Sequence, residues 1–288
     1  MAGEIKGSQI ASAALAASTA GRARMAPAFF DAPTATDKFA EFSISDALKA
    51  SNPRNRCVFL DDFIVGSTNT NGVDPKTWTV RQATTGGGTN GVVAAVATAL
   101  GGATRFTASV TAGGQTSTAA ADFNGKFLVS FRSLECELRF TVPATITNLS
   151  CFMGMTNGAY DTDMGAFGGQ KGGDKDTFGV YFDNDSTHLF VWCSNGGLAT
   201  AVTKTDTGVV LAGGTTYKVS LKTDNADIWY KVDVVGGAAG TWTQVVAPSY
   251  VPTVAKVGQP LITIKNFPSQ IARDLDVDYI STSFLRTV

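Results

Sequence analysis

One histidine and four glutamates in 288 residues leave this sequence poor in the side chains that most often carry acid–base and metal chemistry. The histidine, His188, borders Leu189 and Phe190, which reads as the start of a strand. Without a second histidine there is no multi-histidine metal site and no obvious catalytic dyad. Charge is scarce too: 16% of residues are Asp, Glu, Lys or Arg, against ~25% in ordinary soluble proteins. The net charge is −1, made of +2 on residues 1–56 and −3 on the remainder. Neither part has the basic excess that phosphate neutralisation demands, so nucleic acid is not an expected partner.

No apolar run is long enough to span a bilayer, so no membrane partner is expected. Residues 10–17 are mostly Ala and Ser and follow Glu4, a pattern expected of a short helix or arm and not of a signal peptide. None of the four cysteines, Cys57, Cys136, Cys151 and Cys193, sits in a C-x-x-C pair, which argues against a zinc ribbon or redox motif. Cys136 alternates with Leu138 and Phe140 as a buried thiol would. Four reduced thiols, and folding in a reducing cytoplasm, are the expectation.

What is abundant is glycine, with 31 residues, and threonine. Residues 1–56 are rich in Ala, Ser, Thr and Pro and lack a period of two, which predicts a mostly irregular N-terminal arm with short helical turns. That arm carries Phe29, Phe30, Phe39 and Phe42, too many aromatics for a solvated tail, so it is expected to pack on a partner or a neighbouring copy. From Cys57 onward β signals dominate. Strands are predicted at 57–64, 77–82, 91–100, 102–109, 126–130, 135–142, 149–156, 177–182, 188–194, 217–223, 227–235, 241–247, 260–266 and 274–284, separated by Gly, Asn, Asp and Pro clusters. Fourteen short strands and no helical period predict an all-β domain over 57–288, a two-sheet antiparallel β-sandwich. Its first and last strands are expected to pair and so remove exposed edges.

Several strands show two faces. In Glu135-Cys136-Glu137-Leu138-Arg139-Phe140 the even positions are apolar and the odd ones charged. Leu275-Asp276-Val277-Asp278-Tyr279-Ile280 alternates in the same way through Tyr279. Ile228, Tyr230 and Val232 oppose Trp229, Lys231 and Asp233.

A set of short motifs runs through the domain in a fixed order: Phe59-Leu60-Asp61-Asp62-Phe63 with Trp78, Cys136 to Phe140, Cys151 to Gly158, Phe178 to Asp185, Thr205 to Val209, Tyr217-Lys218-Val219, Ile262 to Asn266 and Val277 to Ile280. Together they resemble the concanavalin A-like (laminin-G-like) jelly-roll domains of tailed-bacteriophage structural proteins. The resemblance implies a jelly-roll sandwich and a virion component, assembled in the host cytoplasm. A capsid decoration or cement protein is the leading expectation, a homo-oligomer whose arm fastens it to the major capsid protein or another virion protein. The alternative is a carbohydrate- or receptor-binding module of a tail fibre or spike.

The same resemblance frames the candidate sites. Glycoside hydrolases on this fold place catalytic carboxylates on one strand face as Glu-x-Asp-x-Glu or a close variant. Here Glu135 and Glu137 share a face, but Arg139 follows and is expected to pair with Glu137, so no enzyme is expected. Asp274, Asp276 and Asp278 line one face and call for cations opposite, such as Arg139. Many such domains bind calcium through loop carboxylates. Asp161, Asp163, Asp183 and Asp185, with Asp174 and Asp176, fall in one Gly-rich span that could supply the oxygens a calcium ion needs, although it lacks EF-hand spacing. No other cofactor is expected. Residues 168–175 lack the order of a phosphate-binding loop. Trp192, Trp229 and Trp242 are candidates for sugar stacking, and Trp229 is the best placed because it alternates against Ile228 and Tyr230.

Overall fold

Residue alternation becomes architecture in the computed structural model, which describes residues 56–63, 73, 77–85, 89–96, 102–109, 115–124, 129–131, 133–157, 176–183, 186–196, 202–224, 227–245, 248, 251–252, 256–267 and 271–285. In chain order the strands are β1 (Arg56–Asp61), β2 (Thr79–Thr85), β3 (Val92–Ala95), β4 (Thr104–Ala108), β5 (Thr116–Asp122), β6 (Val129–Ser130), β7 (Glu135–Thr141) and β8 (Leu149–Thr156). Then follow β9 (Asp176–Asp183), β10 (Ser186–Asn195), β11 (Val202–Val210), β12 (Thr216–Asp224), β13 (Asp227–Val234), β14 (Thr243–Gln244), β15 (Val257–Asn266) and β16 (Arg273–Leu285). Among the described residues there is no helix.

The strands form two sheets. The first runs β14-β13-β12-β7-β16-β4-β3, with β1 also pairing β16. The second runs β11-β10-β9-β8-β15-β5-β2, with β6 also pairing β15. This is the antiparallel jelly-roll sandwich read from the sequence, and the opening and closing strands do pair. Phe29, Phe30, Phe39 and Phe42 lie outside the described residues.

In the first sheet burial follows the predicted faces on β7, whereas Tyr217–Leu221 of β12 and Tyr279–Phe284 of β16 are buried on both faces. β7 alternates half-buried and buried, with Cys136, Leu138 and Phe140 inward. Their register neighbours Leu221, Val219 and Tyr217 on β12 are also buried. Each such Leu, Val or Phe contributes roughly 1.5–3 kcal/mol on burial. In the second sheet every residue of β8 and β9 is buried, on both faces. Phe152, Tyr181, Trp192 and Leu261 form a core cluster there, with Phe190 and Val202 packed against it. Gly154 and Gly179 face one another across β8 and β9. A Cβ at Gly154 would stand 2.3 Å from the Phe178 carbonyl oxygen, and one at Gly179 2.4 Å from that of Met153. Only glycine permits so close a strand approach.

One strand departs from its predicted face. β16 pairs Val277 with Phe140 and then Tyr279 with Arg139, skipping Asp278. This β-bulge inserts an extra residue and reverses which face the following residues present. Tyr279 therefore leaves the apolar face that simple alternation assigned to it, and Ile280 takes the inward position opposite Leu138. The bulge matters for the polar face described next.

Candidate functional site

The polar face of the first sheet is built in rows. Glu135 of β7 stands between Ser283 of β16 and Lys222 of β12, and Lys222 in turn faces Trp229 of β13 and beyond it Gln244 of β14. One row on, Glu137 stands between Ser281 and Ser220, with Lys231 beyond. In the third row Arg139 stands between Tyr279 and Lys218, with Asp233 beyond.

Glu135 and Glu137 are thus brought to one face, as predicted, but Glu137 is engaged at both oxygens. Tyr279 Oη donates to Glu137 Oε1 at 2.7 Å, and Ser220 Oγ donates to Oε2 at 2.8 Å. The Tyr279 side chain is buried, so this is a fixed scaffold contact. Arg139, for which the sequence offers Glu137 and the β16 aspartates as partners, places Nε 3.1 Å from Asp278 Oδ2. A retaining glycosidase needs two carboxyls ~5–5.5 Å apart, one free to attack. Glu137 accepts from two hydroxyls, and Arg139 occupies the next position along the same face.

The aspartate row of β16 is neutralised from β4. Arg105 forms a bidentate pair with Asp276, Nε to Oδ1 at 2.7 Å and Nη2 to Oδ2 at 2.8 Å, and its Nη1 lies 3.5 Å from Asp274. The Asp276 hydrogen bond raises the Arg105 pKa further above its ordinary value. Thr107 Oγ1 donates to Asp274 at 2.7 Å. On β13, Asp233 accepts from the Gly240 amide at 2.6 Å and lies 3.0 Å from Lys231 and 3.4 Å from Lys218 of β12.

Of the predicted calcium set, Asp161, Asp163 and Asp185 lie outside the described residues, as does Asp174. Asp183 accepts from Tyr181 Oη at 2.8 Å and from Lys204 Nζ at 3.4 Å. Asp176 accepts from Asn157 Nδ2 at 2.9 Å, and its amide donates back to Asn157 Oδ1 at 3.0 Å. Among the described residues no group of three or more His, Cys, Asp or Glu side chains is placed to hold a metal ion. His188 Nδ1 lies 2.6 Å from Asp206 Oδ2, while the Gly208 amide donates to Asp206 Oδ1 at 2.7 Å. The Gly208 amide, ahead of His188 and Lys204, holds the Asp206 carboxyl below its ordinary pKa.

The three tryptophans separate. Trp192 is buried against Tyr181, with ring centroids 5.0 Å apart, and offers no exposed face. Trp229 is half-buried and Trp242 is 43% exposed. Lys222 joins them: its Nζ lies 5.4 Å from the Trp229 ring centroid and 4.6 Å from that of Trp242. Both distances are in cation–π range. Sequence reading singled out Trp229 and missed its partnership with Trp242. The signal lay in register, with Lys222 directly opposite Trp229.

No protein-family model matches the sequence, and a search of curated proteins returns no match. Solved structures do resemble it. A Shewanella oneidensis MR-1 protein of unknown function aligns over 85% of this chain and 97% of its own, at 15% identity and TM-score 0.51. A β-1,3-glucanase from Mycobacterium marinum aligns over 78% and 97%, at 12% identity and TM-score 0.53. Basic winged bean lectin, solved with Tn-antigen, aligns over 81% and 100%, at 11% identity and TM-score 0.50. At these identities the likeness establishes the concanavalin A-like jelly-roll fold alone. That fold is shared by an enzyme and a lectin and so does not decide activity.

Proposed function

We propose that this chain is a non-enzymatic structural protein of a tailed-phage virion, a capsid decoration (cement) protein whose sandwich is a rigid outward body. The observation that carries the non-enzymatic part is the state of Glu137, held at both oxygens by Tyr279 and Ser220 beside Arg139. The virion assignment is supported by the order of motifs from Phe59 to Ile280. The aromatic segment 1–56 serves as the fastener to the major capsid protein or a neighbouring copy, since ordering on contact spreads weak contacts over a wide surface. Repetition on a lattice then raises effective affinity.

The test is co-sedimentation of the full-length chain with undecorated capsids of the cognate phage, alongside a reducing-end assay on β-glucans. Saturable binding at a fixed ratio to the capsid subunit, with no sugar release, is the expected result. Sugar release that Glu137→Gln abolishes would overturn the non-enzymatic reading.

A second reading, a carbohydrate-binding module of a tail fibre or spike, is favoured by one observation: the exposed indole of Trp242 beside Lys222 and Trp229.

A further inference from the structure

The β13–β14 edge of the first sheet combines features that no fold requirement explains. Trp242 presents 43% of its surface to solvent. The stretch leading to it, 234–241, contains no charged residue and is exposed except at Gly240. A large exposed indole at the end of a neutral, small-residue turn is unusual on a surface that needs only solubility.

One cation lies over this indole, and further polar groups lie along the same edge. Lys222 Nζ sits 4.6 Å from its centroid and 5.4 Å from that of Trp229, so the ammonium is held without an ion pair having to fix it. Gln244 Nε2 donates to Asp227 Oδ1 at 3.0 Å, which orients an exposed amide and an exposed carboxylate at the same edge. Gln244 is the register neighbour of Trp229, and Lys222 that of Glu135.

From this arrangement we infer that the β13–β14 edge binds a neutral pyranose, a proposal that rests on the carbohydrate reading above. The C–H face of a sugar ring stacks on the Trp242 indole, and its hydroxyls meet a donor at Lys222, an acceptor at Asp227 and both kinds of group on Gln244. Charge decides against an acidic sugar. Lys222 faces Glu135 in register and Asp227 stands at the rim, so the edge carries no net positive charge to attract a uronate or sulfate. Hydroxyls, being donors and acceptors together, suit this mixed rim.

The experiment is affinity electrophoresis of the full-length protein in gels containing neutral polysaccharides (dextran, galactomannan, mixed-linkage β-glucan) or acidic ones (alginate, polygalacturonate). Wild-type, Trp242→Ala and Lys222→Met are compared, with melting temperatures measured on each. The expected result is retardation by at least one neutral polymer, weakened tenfold or more by Trp242→Ala and severalfold by Lys222→Met, with little change in melting temperature. Retardation by acidic polymers alone overturns the sugar class while leaving the carbohydrate reading standing. Neutral binding that Trp242→Ala does not change moves the site elsewhere and also overturns this proposal. Absence of retardation in every gel removes the carbohydrate reading itself.

Discussion

Tyr279 and Glu137, 142 residues apart in the chain, meet at 2.7 Å on the polar face of the first sheet. The meeting depends on the bulge at Asp278, which turns Tyr279 away from the core and toward the glutamate. The contact engages one member of the Glu135–Glu137 pair on β7.

Tyr279→Phe is therefore expected to destabilise the protein by about 1.5–3 kcal/mol, the range for a hydrogen bond to a charged group. Glu137→Gln should have a comparable effect. A double-mutant cycle read by urea denaturation checks this, and the coupling between the two sites should be clearly non-zero. Purely additive effects would mean the bond contributes nothing.

Asp61 gives a second test. Its Oδ1 accepts from the Phe63 amide at 2.8 Å and its Oδ2 from Trp78 Nε1 at 2.5 Å. Phe63 holds a φ of 52°, a strained value for a non-glycine residue that this amide bond helps to fix. Trp78 packs edge-on against Phe123 with centroids 4.6 Å apart. Asp61→Ala leaves two donors unpaired, one of them on a buried ring, and should lower stability by roughly 2–4 kcal/mol. Chemical denaturation followed by tryptophan fluorescence measures it, and an unchanged midpoint would contradict this role for Asp61.

Close approach of β8 and β9 makes Gly154→Ala and Gly179→Ala severe. The new methyl group would collide with backbone carbonyl oxygens that have no side-chain freedom to yield. Losses of about 1–3 kcal/mol or more are expected from such overpacking. Gly208→Ala is a contrasting control: a Cβ there meets nothing within 4 Å, and only its φ of +73° opposes the change.

Much of this fold was legible because burial imposes a period of two. Residues 149–156 match β8 at both ends and the faces of β7 are as read; on β13 Ile228 and Tyr230 are buried as read, but Val232 is half-buried and Asp233 buried. Two strands were missed. β5, Thr116–Asp122, is Thr-Ser-Thr-Ala-Ala-Ala-Asp, short side chains without apolar–polar alternation, yet it lies between β15 and β2 and is buried from Ser117 to Asp122. β11, Val202–Val210, is an edge strand whose Lys204, Asp206 and Gly208 are exposed, so it lacks an apolar stripe. The Asp278 bulge was hidden too, since alternation in sequence does not reveal where a partner strand drops a residue. At the candidate site, the Glu135–Glu137 face was readable from spacing. The Trp229–Lys222–Trp242 grouping was not, because it depends on register among three strands.

Acid sensitivity should follow Asp233. Burial opposes its ionisation, but the Gly240 amide, Lys231 and Lys218 outweigh it and hold the carboxyl below its ordinary pKa. A depressed folded-state pKa contributes stability that is present above the unfolded value of about 3.9 and is lost as pH falls through the folded value. Urea midpoints are thus expected to be level from pH 7 to about 5 and to fall below about 4. Asp233→Asn should flatten that acid step, and an unaltered acid profile would refute the assignment.

Cys136, Cys151 and Cys193 are buried free thiols, and burial pushes all three above the ordinary thiol range. They should resist a thiol reagent at pH 8 in native protein and react on denaturation. Fast native labelling of all four cysteines would show that the sheets open readily.

The most direct test of the virion account is the saturation ratio of full-length protein on undecorated capsids, compared with a full-length variant carrying Phe29→Ser, Phe30→Ser, Phe39→Ser and Phe42→Ser. The account predicts a fixed ratio to the capsid subunit for the wild-type chain and loss of binding in the variant, with unchanged melting of the sandwich. A wild-type chain that leaves the capsids bare would contradict it.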